Sequence, residues 1–202
     1  DSATTEIYSR SLVGSVRCVL ETGLELSETE LLHQCIFMLN AGHETSTNML
    51  SHGLNELINH KDQYKLLQKE PERIDTAIDE ILRFQPPIQI NNRRCLEKTK
   101  LGDVVVPEGT SVHMIIAGAN RDPLQFFKPE TFDISRSPNR HLSFGLGIHI
   151  CAGINLARVE AKVAFLSLIS SFKEINLLKK PNIANRIRFR EIKEMQIEVS
   201  SF

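Results

Sequence analysis

No proline interrupts the chain between Ser27 and Asn59, and Ser27 with Glu30 makes a capping box where that stretch begins. A capping box satisfies two otherwise orphaned backbone donors, so it marks a helix N-terminus. Over the first half of the stretch the apolar residues follow no single stripe. Leu31, Leu32, Cys35, Ile36, Phe37, Met38 and Leu39 cover nearly the whole circumference. A helix that is apolar all round needs neighbours on every side. The pattern therefore predicts a buried central helix.

Polar groups then break into that helix at Ala41-Gly42-His43-Glu44-Thr45-Ser46. Glycine in a helix interior costs about 1 kcal/mol relative to alanine. A threonine hydroxyl there can bond the carbonyl one turn back and bend the helix. Ala41 and Gly42 together leave a shallow notch, open to a flat cofactor or a diatomic ligand. Glu44 beside Thr45 sets a carboxylate next to a hydroxyl, a pair able to hand on protons. Taken alone, the hexapeptide fits a kinked core helix as well as a functional groove.

Further helices are predicted over Lys61–Lys69 and Pro71–Phe84, the second opened by Glu70-Pro71-Glu72 and ended by Pro86-Pro87. Glu80 and Arg83 stand three residues apart on it and share a face. Strand-like runs follow at Ile88–Arg93, Val104–Val106 and Val112–Ile116, with turns at Gly102-Asp103 and Pro107-Glu108-Gly109. Arg121 to Arg140, rich in Pro, Asp, Ser and Asn, reads as an ordered meander. Another helix is predicted from about Ala152 to Phe172, and terminal strands from Pro181 onward. Ser2 to Glu21 reads as a poorly patterned helix broken at Thr22-Gly23. The fold class is mainly α with a small β region, without repeats or a domain linker.

The 202 residues are 41% hydrophobic with a net charge of −1, which suits a globular core and implies no nucleic-acid partner. Cys18, Cys35, Cys95 and Cys151 show no paired spacing, so reduced thiols in a cytoplasmic setting are expected. No run reaches transmembrane length.

One of those cysteines stands in a special place. Phe144-Gly145-Leu146-Gly147-Ile148-His149-Ile150-Cys151-Ala152-Gly153 brings Cys151 on a glycine-rich loop to the start of a helix. Gly145, Gly147 and Gly153 permit backbone angles and close approaches denied to other residues. Amide groups at a helix N-terminus favour a thiolate. At every fixed position this segment resembles the haem-binding loop of the cytochrome P-450 family, Phe-x-x-Gly-x-(Arg/His)-x-Cys-x-Gly. Ala41 to Thr45 resembles that family's oxygen-binding groove, (Ala/Gly)-Gly-x-(Asp/Glu)-Thr. Glu80 and Arg83 resemble its Glu-x-x-Arg.

The resemblance covers roughly Leu26 to the C-terminus, with Asp1 to Glu25 matching only loosely. It corresponds to the C-terminal part of the P-450 fold, so residues 1–202 are expected to form a partial domain whose N-terminal half is absent. It implies haem b with Cys151 as axial ligand of the iron, Phe144 shielding the sulfur, and His149 and Arg93 seating the propionates. Arg94 competes with Arg93 for that role. It further implies that Thr45 handles oxygen while Glu44 relays protons, with Ala41 and Gly42 leaving room. Glu80 and Arg83 would be structural, anchoring the meander beneath the loop. The family completes that anchor with an arginine in Pro-x-Arg-Phe. Here the segment is Pro129-Glu130-Thr131-Phe132, which leaves the third partner open, with Arg136 and Arg140 as the candidate substitutes.

The activity implied is monooxygenation of a small apolar organic substrate by O2. Electrons would come from NAD(P)H through a ferredoxin or flavodoxin and its reductase. Ile88 to Ile90 and Ile115 to Gly118 are candidate pocket residues. Two other outcomes stay open: a haem-thiolate peroxygenase or hydroperoxide-rearranging enzyme, and a fragment inactive by itself. Retention of Glu44-Thr45 argues against the peroxide-using enzymes.

Overall fold

A computed structural model of the chain describes residues 26–202. The helix expected over Ser2–Glu21, and Cys18, lie outside the described residues. Helix α1 spans Glu28–Asn59, and both halves of the Ser27/Glu30 capping box form. Helix α2 (Lys61–Lys69) follows directly. A 3-10 turn at Pro71–Arg73 then leads into α3 (Ile74–Phe84). On α3 the residues Ile74, Ala77, Ile78, Ile81 and Leu82 are all buried. Their spacing of i, i+3, i+4, i+7 and i+8 is that of one apolar helical face.

The core lies where α1, α2, α3 and the long C-terminal helix α5 (Ile154–Ser171) meet. Leu57, Leu67, Ala77, Ile81 and Ala161 are wholly inaccessible there. Gly53 is a point of close contact between α1 and side chains of α3 and α5. A Cβ on it would meet Phe165 Cζ at 2.5 Å and Ile81 Cγ2 at 3.0 Å. Only a residue without a side chain lets the helices close to this distance.

Burial of α1 departs from expectation. Its buried residues, Asn48 to Ile58, all lie in the second half. In the first half Leu31, Ile36, Phe37 and Leu39 are exposed by 52%, 57%, 66% and 72%. An apolar circumference states a need for neighbours, but α3 and α5 reach only the later turns, and no described residue covers the earlier ones. The outer face of α5 shows the same character at Leu156, Val159 and Val163.

Among the described residues the β region consists of four antiparallel two-stranded ribbons. Strand β1 (Asn91–Arg94) pairs with β4 (Ser111–Met114), placing Arg93 opposite Val112. Strand β2 (Thr99–Leu101) pairs with β3 (Val104–Val106) around Gly102, whose φ of 57° suits glycine. After β4, a short helix α4 (Ile116–Ala119) opens the meander. Strand β5 (Phe172–Leu177) pairs with β8 (Ile197–Ser201). Strand β6 (Asn182–Ile183) pairs with β7 (Ile192–Glu194).

Ile88–Ile90 were expected in a strand and are not. Gln89 instead donates its N–H to Arg188 O (2.9 Å) and accepts from Ala117 N (3.1 Å). The segment is thereby tied to two different parts of the chain, not to one ladder. Ile116 likewise leaves its expected strand to start α4. Among the described residues no helix is long and apolar enough to cross a membrane.

Candidate functional site

The Cys151 loop is a pair of nested turns. Gly145 N–H donates to Leu142 O (2.9 Å), Ile150 N–H to Gly147 O (3.1 Å), and Cys151 N–H back to Phe144 O (2.8 Å). The last bond closes the loop and brings the cysteine beside the residue that begins it. Gly145 and Gly147 have φ of 74° and 69°, where a side chain is strained. A Cβ on Gly145 would also press on His149 O at 3.0 Å. Gly153 is different from what its position suggested. Its φ is −89°, open to any residue, and it serves as the N-cap of α5. The helix accordingly begins at Ile154, two residues later than expected. Cys151 is exposed, in company with exposed Leu146, Ile148 and Ile150. A thiol at a helix entrance with an apolar rim turned to solvent is the outstanding feature of this surface.

Across from it in sequence, α1 carries Ala41, Gly42, Glu44 and Thr45. Thr45 Oγ1 donates to Ala41 O at 2.6 Å, the back-bond expected of a threonine in a helix. A Cβ at Gly42 would meet nothing within 4 Å, so the notch there is open. Glu44 faces Arg186 at 3.9 Å, and Arg186 also reaches Glu191 at 3.3 Å. Next to Thr45, Ser46 Oγ donates to Glu160 Oε2 at 2.7 Å. This contact joins the polar break in α1 to α5 beyond Cys151. Glu160 was not singled out in the sequence, since a lone acid on a helix carries no local signal.

Beneath the loop, Glu80 and Arg83 are fully buried and bidentate, with Nε to Oε2 at 2.7 Å and Nη2 to Oε1 at 2.8 Å. Arg83 spends its remaining donors on the carbonyls of Asn120 (2.9 Å), Pro129 (2.8 Å) and Thr131 (3.1 Å). All five guanidinium N–H groups are thus used. Glu80 also accepts from Asp133 N (2.9 Å), Arg136 Nε (3.1 Å) and Asn139 Nδ2 (3.0 Å). Of the two expected substitutes for a third cation, Arg136 is the one at this carboxylate. Asn120 carries the network onward. Its Oδ1 accepts from Leu142 N (2.8 Å) and its Nδ2 donates to Ser143 Oγ (2.9 Å), immediately before Phe144.

The two cations expected to meet haem carboxylates are both on the surface. His149 ends the 3-10 turn Gly147–His149 and is exposed. Arg93 is exposed on β1, its Nη1 resting on Asn92 O at 2.9 Å. Arg is suited to bidentate carboxylate pairing, and neither group is committed to a buried partner. His141 stands closer in, with Nε2 at 3.3 Å from Asp79 Oδ1.

Comparison with known proteins agrees with this geometry. The cytochrome P450 family model matches residues 15–187. The biotin biosynthesis cytochrome P450 of Bacillus subtilis is 40% identical over 153 residues, covering 76% of this chain and 39% of that protein. Cytochrome P450 119 of Sulfolobus acidocaldarius is 37% identical over 187 residues, covering 87% and 50%. Among solved structures, P450BioI in complex with a hexadec-9Z-enoic acid ligated acyl carrier protein superposes with a TM-score of 0.85 at 37% identity. That match covers 87% of this chain and 46% of the other. Substrate-free CYP109E1 from Bacillus megaterium gives 0.86 at 32%, covering 89% and 47%. The chain belongs to the cytochrome P450 family and has its mixed, mainly helical fold. It spans half or less of the length of these relatives.

That family implies haem, and the residues present fit one. The loop presents an unpaired thiol outward, with Gly147 leaving space where a side chain would project. Leu146, Ile148 and Ile150 give the same loop an exposed apolar rim, and Arg93 and His149 are uncommitted donors available for a dianionic cofactor.

Proposed function

We propose that this chain supplies the oxygen-activating half of a haem-thiolate monooxygenase. Haem held by Cys151 would supply one-electron and O2 chemistry, the thiolate pushing electron density that favours O–O cleavage. Cys151 would hold the haem iron through its thiolate, and its place is fixed by the bond from its own amide to Phe144 O. His149 and Arg93 hold the propionates, and the Phe144 ring shields the sulfur. Gly145 and Gly147 shape the loop, and Ala41 and Gly42 keep the facing helix clear of the cofactor.

The chain's own part in the reaction is proton handling. Thr45 Oγ1 rests on Ala41 O; on turning away it can donate its proton into the groove and accept another. Glu44 is the neighbouring carboxylate able to refill it. The substrate is a small apolar molecule, lying against Ile88 to Ile90 and Ile115 to Gly118. Electrons come from NAD(P)H by way of a ferredoxin or flavodoxin and its reductase, in the cytoplasm.

The exposed thiol of Cys151, on a loop closed by the Cys151 amide donating to Phe144 O, is the observation that carries this reading. The test is the reduced, carbon monoxide-treated spectrum of the haem-loaded chain. A thiolate-type Soret band is expected, and its loss in Cys151→Ser. The same band in that variant would remove Cys151 from the site.

A further inference from the structure

Phe144 is the hinge of the cysteine loop, because its carbonyl receives the Cys151 amide at 2.8 Å. Two side chains rest on its ring. His141 lies with ring centroids 5.9 Å apart, and the Arg158 guanidinium carbon stands 5.6 Å from the Phe144 centroid. They come from opposite sides of the loop in sequence, His141 before it and Arg158 on α5 after it. Both end on one atom. Asp79 Oδ1, on α3, is 3.3 Å from His141 Nε2 and 2.7 Å from Arg158 Nη2. The other ring nitrogen, His141 Nδ1, accepts from Ser143 N at 3.2 Å. This leaves Nε2 as the donor to Asp79 in the neutral tautomer. The His141 side chain is only 4% exposed, so it has no alternative partner in solvent.

We propose that Asp79 is a positioning residue for the Cys151 loop, gathering His141 and Arg158 onto the Phe144 ring and so holding the carbonyl that fixes the Cys151 amide. The inference rests on the proposed role of the loop as a thiolate holder and adds the group that sets its geometry from outside. Asp79 touches neither the thiol nor any cofactor position. Its neighbour Glu80 anchors the meander from below, whereas Asp79 acts on the loop from α3 through an aromatic ring.

Burial pushes the Asp79 carboxyl up. The His141 hydrogen bond and the Arg158 charge outweigh it, leaving the group below its ordinary range. The carboxylate that the arrangement needs is therefore the form present at neutral pH.

The test is amide hydrogen exchange in the full chain without haem, comparing the wild type with Asp79→Asn. The variant keeps size and loses the charge that gathers the Arg158 cation and the His141 N–H. Exchange at the Cys151 amide should rise about tenfold, the scale of losing one charge-assisted bond. Exchange over α3 and the second half of α1 should not change. Asp79→Glu, which keeps the charge, should restore part of the protection. Arg158→Gln is a second probe on the exposed side of the cluster, and it should raise Cys151 exchange while leaving the core intact. Cys151 exchange unchanged in both Asp79→Asn and Arg158→Gln would overturn the proposal, as would a rise spread evenly over α3. Because the readout is taken without haem, it judges Asp79 independently of whether the wild type binds haem. That separate question is answered by the carbon monoxide spectrum. With haem present, the thiolate band of Asp79→Asn should be lost at lower temperature than that of the wild type.

Discussion

Replacing Glu80 by glutamine changes one oxygen to an NH2 group and removes one charge, with almost no change of shape. The consequence can be followed atom by atom. Oε1 receives Arg83 Nη2 and Asp133 N, and Oε2 receives Arg83 Nε, Arg136 Nε and Asn139 Nδ2. Whichever way the new amide is turned, its nitrogen faces two or three donors and can accept from none. Arg83, with none of its side chain exposed, is left as an uncompensated buried cation. Breaking a buried pair from one side costs about 3–5 kcal/mol, chiefly through the charge left behind. That is a large share of the roughly 5–15 kcal/mol that holds a typical domain together. For a chain of this size it corresponds to a melting temperature lower by about 6–20 °C. The assay is thermal and guanidinium unfolding followed by far-ultraviolet circular dichroism. Arg186→Gln, at an exposed pair, serves as the control. A Glu80→Gln protein within about 1 kcal/mol of wild type would refute the reasoning, because it would mean that water or relaxation replaces the two or three lost bonds and the missing charge beside Arg83.

Gly53→Ala should destabilise by about 1–3 kcal/mol through overpacking, since the added methyl collides with the buried rings and branches of Phe165 and Ile81; unfolding midpoints check this. Thr45→Ala in the haem-loaded enzyme should raise the peroxide released per NAD(P)H consumed while the carbon monoxide spectrum stays intact; an unchanged ratio with full product yield would remove Thr45 from proton handling. Asp79 makes a contribution to stability that depends on acid. Its folded pKa is depressed, so the contribution is fully present above its unfolded value, about 3.9, and is lost as pH falls through the folded value. Below about pH 4, the stability of Asp79→Asn should therefore fall less steeply than that of the wild type, as read from urea midpoints along a pH series.

Helix positions were legible because their signals are local. The capping box at Ser27, the prolines around α3 and the 3.6-residue spacing of Ile74 to Leu82 each act within a few residues. Burial of α1 was not legible in the same way. The pattern at Leu31 to Leu39 reports what a helix requires, and whether the neighbours exist is a property of the rest of the fold. Strand β5 escaped notice because Phe172–Leu177 follows α5 with no turn residue between them, and only its pairing with β8 makes it a strand. In the site, Cys151, Glu44, Thr45, Glu80 and Arg83 announce themselves by spacing. Asp79, Arg158 and Glu160 do not, because each gains its meaning from a partner more than fifty residues away. Gly153 shows the opposite error, a glycine in a matching motif whose backbone angle does not demand one.

Arg83 grips the meander through the carbonyls of Asn120, Pro129 and Thr131, and Arg136 takes hold of Thr131 through the same carbonyl oxygen. Every amino acid offers that oxygen. A segment restrained by its main chain keeps its course while its side chains drift, so Thr131 can stand where relatives often place a cation. Divergence in this stretch is then cheap, and similarity scores taken across it will understate kinship. The constraint falls instead on the two arginines that do the gripping, where even lysine is no substitute.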